Sequence, residues 1–173
     1  MIERLTGESA RARVEALVEV YREAFGPPPW NEGEDEVEAF RVRLDEDSRR
    51  AGFVAVLATA DGRPCGFGTA FPTPSPLPRR RSYGRAAEIA GTERLTGALE
   101  VTELAVSPRA RGRGLAGRLL EELCAGRPRR WLLTSTQAPD AVRLYERLGW
   151  RRLNDGPGVI VFTWDMVAPD VNG

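Results

Sequence analysis

Between an apolar run ending at Val106 and a helical run starting at Leu115 stands Arg111-Gly112-Arg113-Gly114-Leu115-Ala116. Glycines at such a turn let the backbone approach an anion closely, and the free N–H groups and positive end of the following helix favour a phosphate or pyrophosphate. The direct inference is a phosphate-bearing cofactor, with a plain Gly-rich turn as the alternative that this segment leaves open when taken alone. Gly112, Gly114 and Gly117 also satisfy the dinucleotide pattern Gly-x-Gly-x-x-Gly. That pattern wants an acidic residue about 20 positions on, where this chain has Ser135, Thr136 and Gln137. Too little chain follows Gly117, and its end reads as antiparallel, to complete a dinucleotide half-fold. A P-loop needs Gly-Lys-Ser/Thr, and the chain contains no Lys.

The composition narrows the chemistry further. No His is present, which removes Ser-His-Asp and Cys-His catalysis and His-ligated zinc. The two cysteines, Cys65 and Cys124, are too few for a disulfide framework and read as reduced, packed thiols. With 25 basic and 25 acidic residues the formal charge is zero, so no global field draws in a polyanion or an acidic membrane surface. Nucleic acid and membrane are excluded as expected partners. The start of the chain carries Glu3 and Arg4 and no run approaches the length of a spanning helix. A soluble, cytoplasmic protein is expected, acting as a monomer or homodimer.

These residues must be positioned by an α/β frame. Periodicity predicts an edge strand at the start, helices from Ser9 to Phe25 and from Glu34 to Asp47, and strands over Phe53–Thr59 and Pro64–Phe71. Asp61-Gly62 between those strands is a hairpin turn. Prolines alternate from Pro72 to Pro78 and an Arg-rich stretch follows, which reads as an insertion at about 72–98, partly helical from Ala86 to Leu95. Beyond it the pattern gives a strand at Leu99–Val106, a helix at Leu115–Cys124, a strand at Trp131–Thr136 and a helix at Pro139–Leu148. A last strand pair follows at Trp150–Leu153 and Val159–Met166. The sum is one domain over residues 1–173: a central mixed, mostly antiparallel sheet with helices on both faces.

Two stretches resemble the GNAT superfamily of N-acetyltransferases. Glu103 to Pro108, followed by Arg111 to Ala116 and Leu119-Leu120, is similar to its acyl-CoA signature of a strand, R-x-x-G-x-G/A and a helix. About thirty residues on, Ala141-Val142-Arg143-Leu144-Tyr145-Glu146-Arg147-Leu148-Gly149-Trp150 resembles A-x-x-L-Y-x-x-x-G-F. Ala138 stands where the family often has Asn, and Trp150 where it usually has Phe. The resemblance implies a GNAT-like acyltransferase using acetyl-CoA. Amides from Arg111, Gly112, Arg113, Gly114, Leu115 and Ala116 would cradle the coenzyme A pyrophosphate. Leu104, Ala105 and Val106 would pair with the pantetheine arm, and Tyr145 would lie near the thioester sulfur, also bound to the cofactor.

The implied reaction makes demands of its own. An alkyl amine with a pKa near 10.4 is almost wholly protonated at pH 7, so something must accept a proton. Without His the candidates are carboxylates, and Glu103 is best placed, with Glu100 in reserve. Strict alternation puts Glu103 on a face with Leu99, Val101 and Ala105, an apolar neighbourhood that raises a carboxyl pKa; a salt-bridged structural Glu fits the position equally. Tyr145 could donate to the departing thiolate as general acid, although it also belongs to the helical stripe Ala141, Leu144, Tyr145, Leu148. A backbone N–H near Leu104 or Val106 would polarise the carbonyl. The expected acceptor is a small-molecule primary amine, with a protein or peptide amine, or a non-catalytic acyl-CoA sensor, as the alternatives.

Overall fold

The computed structural model describes residues 1–166; residues 167–173 of the expected domain lie outside the described residues. In chain order the elements are β1 (Ile2–Leu5), α1 (Gly7–Ala12), α2 (Val14–Phe25), α3 (Glu34–Asp47), β2 (Val54–Ala60) and β3 (Arg63–Pro72). Then come α4 (Arg81–Ala90), α5 (Thr92–Leu95), β4 (Leu99–Val106), α6 (Leu115–Leu123), β5 (Arg129–Ser135), α7 (Pro139–Arg147), β6 (Arg151–Arg152) and β7 (Val159–Asp165). The result is the expected mixed α/β class, with seven mostly antiparallel strands among the described residues. Residues 1–72 with 101–125 form one compact unit, and residues 73–100 with those from 126 on form a second.

In the first unit β1 runs antiparallel to β2, with Ile2 opposite Ala58, and β2 antiparallel to β3, with Val54 opposite Ala70. The β2–β3 hairpin turns at Asp61 and Gly62, both at positive φ (51° and 76°), the backbone that Asp-Gly favours in tight hairpins. Next to β3 lies β4, tied on by Thr69 and Thr102 (Oγ1 to Oγ1, 2.8 Å) and by the Ser107 amide donating to the Cys65 carbonyl at 2.9 Å.

Alternation along β3 sends its side chains to two faces. Phe67 and Phe71 join Ala55, Leu57 and Ala105 against Leu17, Val18, Tyr21, Phe40 and Leu44 of α2 and α3. Burial of each leucine, valine or phenylalanine among them contributes about 1.5 to 3 kcal/mol. Gly66 and Gly68 face the other way, where a Cβ would stand 2.8 Å from Leu119 Cδ1 and 3.1 Å from Leu123 Cδ2. Bare backbone there lets α6 settle close to the strand. Helices therefore cover both faces within this unit, as expected.

In the second unit β7 is antiparallel to β5, with Trp131 opposite Thr163, and to β6. Trp131 is fully buried and its indole N–H donates to Thr73 Oγ1 at 2.7 Å, which donates in turn to the Ala98 carbonyl at 2.9 Å. Thr73 also exchanges backbone bonds with Ala98 and Gly97. The two ends of the 72–98 insertion are thus pinned together at its base.

Two helices differ from the sequence reading. The expected Ser9–Phe25 helix is two, because Arg13 leaves helical geometry at φ −111° while its side chain pairs with Glu3 at 3.0 Å. The insertion's helix begins at Arg81, earlier than expected, and ends at Gly91, whose φ of 84° starts α5 anew. Tyr83 and Ala86 are its buried stripe, hidden in the sequence by the surrounding arginines.

Gly7 opens α1 against the end of α3, where an added Cβ would lie 1.9 Å from the Ser48 carbonyl oxygen. Because that neighbour is backbone, Gly7→Ala is expected to lose about 3 kcal/mol and lower the melting temperature by roughly 6 to 12 °C. A thermal melt followed by circular dichroism checks this.

Candidate active site

The glycine turn lies in the first unit. After β4 the chain makes a short 3-10 turn at Pro108–Ala110, then takes left-handed backbone at Gly112 (φ 76°) and at Gly114 (φ 72°), which caps α6. A side chain at either position is strained. No atom lies within 4 Å of where a Cβ would stand on either glycine, so the turn faces open space. The Arg111 amide is taken by the Pro108 carbonyl at 3.3 Å, whereas those of Gly112 through Gly117 meet no acceptor among the described residues. The Arg111 guanidinium laces the turn in place, donating to the carbonyls of Val106 (3.1 Å) and Ala24 (3.3 Å). Leu115 anchors the start of α6 in the interior, with Arg113 exposed and Ala116 half-buried beside it. These are successive N–H groups at a helix start without an acceptor among the described residues, suited to a diphosphate.

On the strand leading to the turn, Ala105 is buried against α2 and α3, while Leu104 points to the α6 side, 3.5 Å from a Cβ built on Gly68. Glu103 shares the Ala105 face, as alternation predicts. Its Oε1 accepts from Arg43 Nη2 of α3 at 2.7 Å, and 18% of its side chain is exposed. Removal from water pushes the Glu103 carboxyl above its ordinary range, and the Arg43 guanidinium pulls it partly back; the carboxylates of Glu32 and Asp47 add to the upward push. Tyr21 of α2 lies in the same group. Burial above all, then Glu32 and Glu103, holds its phenol well above the ordinary tyrosine range, so it stays protonated. A half-buried carboxylate, an adjacent guanidinium and a protonated phenol can accept a proton, hold charge and donate a hydrogen bond.

Arg43 and Tyr21 escaped the sequence reading as site residues. Their signal was present: Arg43 sits beside Leu44 and three residues after Phe40, so a cation interrupts the buried stripe of α3. Phe40 stacks on Tyr21 with ring centroids 4.2 Å apart, and the Arg43 guanidinium lies 5.7 Å from the Phe40 ring.

In the second unit Tyr145 of α7 is buried, its ring 5.4 Å from that of Phe162 and 6.0 Å from that of Trp150. Ala138 caps α7 without a side-chain hydrogen bond, as its replacement of Asn implies. Glu100, the reserve carboxylate, accepts from the Tyr83 hydroxyl at 2.5 Å. A cavity of about 400 Å³ opens between Arg81, Ser82 and Arg85 of α4 and Leu133, Pro157 and Val159. Among the described residues no cluster of His, Cys, Asp and Glu could hold a metal ion, and no helix is long and apolar enough to cross a membrane.

Comparison with known proteins identifies the class to which this fold belongs. The pattern of the Acetyltransferase (GNAT) family matches residues 14–150. The chain belongs to that family. No curated protein matches it by sequence. Among solved structures it is similar to a PaiA N-acetyltransferase from Thermoplasma acidophilum in complex with coenzyme A, at 16% identity and TM-score 0.65, covering 95% of this chain and 99% of that one. It is also similar to YncA from Salmonella typhimurium with its cofactor acetyl-CoA, at 16% identity and TM-score 0.62 over 99% and 98%. A ribosomal-protein-alanine N-acetyltransferase from Brucella melitensis resembles it at 19% identity and TM-score 0.64 over 95% and 99%.

Proposed function

We propose that the chain is a single acetyltransferase domain that moves an acetyl group from acetyl-CoA to the primary amine of a small molecule by direct attack in a ternary complex. The observation that carries this reading is the open turn at Gly112–Gly117, whose amides are unpaired among the described residues. Donors aimed outward from a helix start fit a diphosphate and leave the protein's own side chains out of the space it needs. Acetyl-CoA supplies the acetyl group as a thioester, which is activated toward amines and leaves as a thiolate of moderate basicity. The chain's residues do the rest. Amides from Gly112 onward, with Leu115 and Ala116, hold the diphosphate, and the main chain of Leu104, Ala105 and Val106 aligns the arm. Glu103 takes the proton from the acceptor's ammonium, directly or through water, freeing a neutral amine to attack. Arg43 holds the Glu103 carboxylate in place, and the Tyr21 side chain, kept protonated, bonds in turn with Arg43. We assign Tyr145 the role of hydrogen-bond donor to the departing sulfur. Cys65 and Cys124, both buried, suit a cytoplasmic setting in which thiols stay reduced.

Thiol release from acetyl-CoA, followed with a panel of amines, tests the proposal: release must rise on adding an amine. Folded protein that binds coenzyme A without such a rise would make it an acyl-CoA sensor. Tyr145→Phe is expected to lower kcat by roughly tenfold to a hundredfold, with the KM for the amine little changed.

A further inference from the structure

The cavity of about 400 Å³ lies wholly within the second unit, and its lining is of two kinds. One side is apolar and fixed: Leu133 of β5, with Pro157 and Val159 where the chain enters β7. Asn154 ties that loop down, its Nδ2 donating to the Val159 carbonyl and its Oδ1 accepting from the Val161 amide, both at 2.9 Å. The Thr136 amide holds it from the β5 side by donating to the Gly158 carbonyl at 3.1 Å. A wall held by such bonds is formed before any ligand arrives, which lowers the cost of binding. The other side is cationic. Arg81, Ser82 and Arg85 line it from the first turns of α4, a helix that the buried Tyr83 seats on Trp131, with ring centroids 6.0 Å apart.

No carboxylate lines the cavity, and α4 has no acidic residue in its first turn. Arg85 meets Glu88 at 3.2 Å in a solvent-exposed pair, which holds it weakly. Arg81 has no ion pair and no side-chain hydrogen bond among the described residues. Guanidiniums four residues apart on a helix face repel each other, and an anion between them relieves that repulsion. The volume suits a small molecule, the apolar wall a short hydrocarbon chain, and the guanidinium fork a carboxylate, which it meets with two parallel N–H bonds. Alkylammonium ions meet like charge there, and inorganic anions gain nothing from the wall.

We propose that this cavity binds a short aliphatic carboxylate, its hydrocarbon chain on Leu133, Pro157 and Val159 and its anionic head between Arg81 and Arg85. The assignment does not depend on acetyl transfer.

Calorimetry on the full chain with hexanoate, hexanol and hexylammonium tests it. Hexanoate is expected to bind with a Kd of about 1 mM or below and roughly tenfold more tightly than hexanol, with hexylammonium weakest. Arg81→Gln is expected to weaken hexanoate roughly tenfold or more, as for a lost hydrogen bond between charged groups, and to leave hexanol unchanged. Ser82→Trp fills the cavity from the helix surface and is expected to abolish binding of both. Arg81 and Ser82 are exposed, so both variants keep the fold. Hexanoate binding no tighter than that of hexanol, or unchanged in both variants, overturns the assignment. Thiol release with ω-aminohexanoate then distinguishes the sources of the anion. Competitive inhibition by hexanoate, lost in Arg81→Gln, makes the carboxylate part of the acceptor, whereas a rate change without competition, also lost in that variant, makes it a separate effector. Arg81-dependent hexanoate binding in a protein without turnover upholds the site and overturns only acetyl transfer.

Discussion

Glu103→Gln is expected to lower kcat/KM for the amine by roughly 10² to 10⁴, the range of a lost general base, while coenzyme A still binds. The amide keeps the shape and can still meet a hydrogen-bond donor, but cannot take a proton at neutral pH. The opposing possibility is distinct in outcome: a Glu103 that only anchors Arg43 would cost stability and leave the rate near that of the unaltered protein. The pH profile adds an independent reading. Desolvation raises the Glu103 carboxyl and Arg43 lowers it, with the balance upward. A base works ionised, so the rate falls as pH drops through its pKa, and the acid limb is expected above the ordinary glutamate range. Arg43→Gln removes the lowering influence and leaves desolvation unopposed, moving that limb to still higher pH. Rate is lost on the acid side and regained at alkaline pH. A limb that stays put in Arg43→Gln would assign the titration to another group.

Much of this frame was legible because local signals agreed with the tertiary result. Asp61-Gly62 specified a hairpin whose two positive φ values few other pairs tolerate, and β3 answers it with alternation that the core confirms. Glu103 was placed on the Ala105 face by counting alone, since a strand offers only two faces. The Glu34–Asp47 helix carries three acidic residues in its first turn, matching its dipole. What escaped detection depends on contacts distant in sequence. Nothing near Arg43 says that it will meet Glu103, 60 residues on. Arg13 breaks its helix while its side chain pairs with Glu3 on β1, a tertiary contact that periodicity cannot see. The first turn of the insertion's helix was hidden for another reason: it holds Tyr83, whose partner in the buried stripe is only Ala86, among exposed arginines.

Replacing Gly114 by Glu is expected to raise the KM and Kd for acetyl-CoA at least a hundredfold while leaving most of the protein folded. Two effects separate here by magnitude. The backbone cost of an L-residue at φ 72° is about 1 to 2 kcal/mol. It is partly offset because a carboxylate at a helix start is favourable, by up to about 1 kcal/mol. The added Cβ meets open space, so no overpacking follows. Against acetyl-CoA the same carboxylate acts twice, occupying the amides that a diphosphate needs and setting like charge against it, a juxtaposition that costs several kcal/mol. Gly114→Ala carries only the conformational part and is expected to weaken binding far less. Gly91→Glu, at φ 84° and ψ 140° and also facing open space, carries the same charge and a larger backbone strain without the amides of the turn. Calorimetry with coenzyme A on the three variants separates strain from anion recognition. Equal weakening by Gly114→Glu and Gly91→Glu would mean that the α6 amides do not hold the diphosphate.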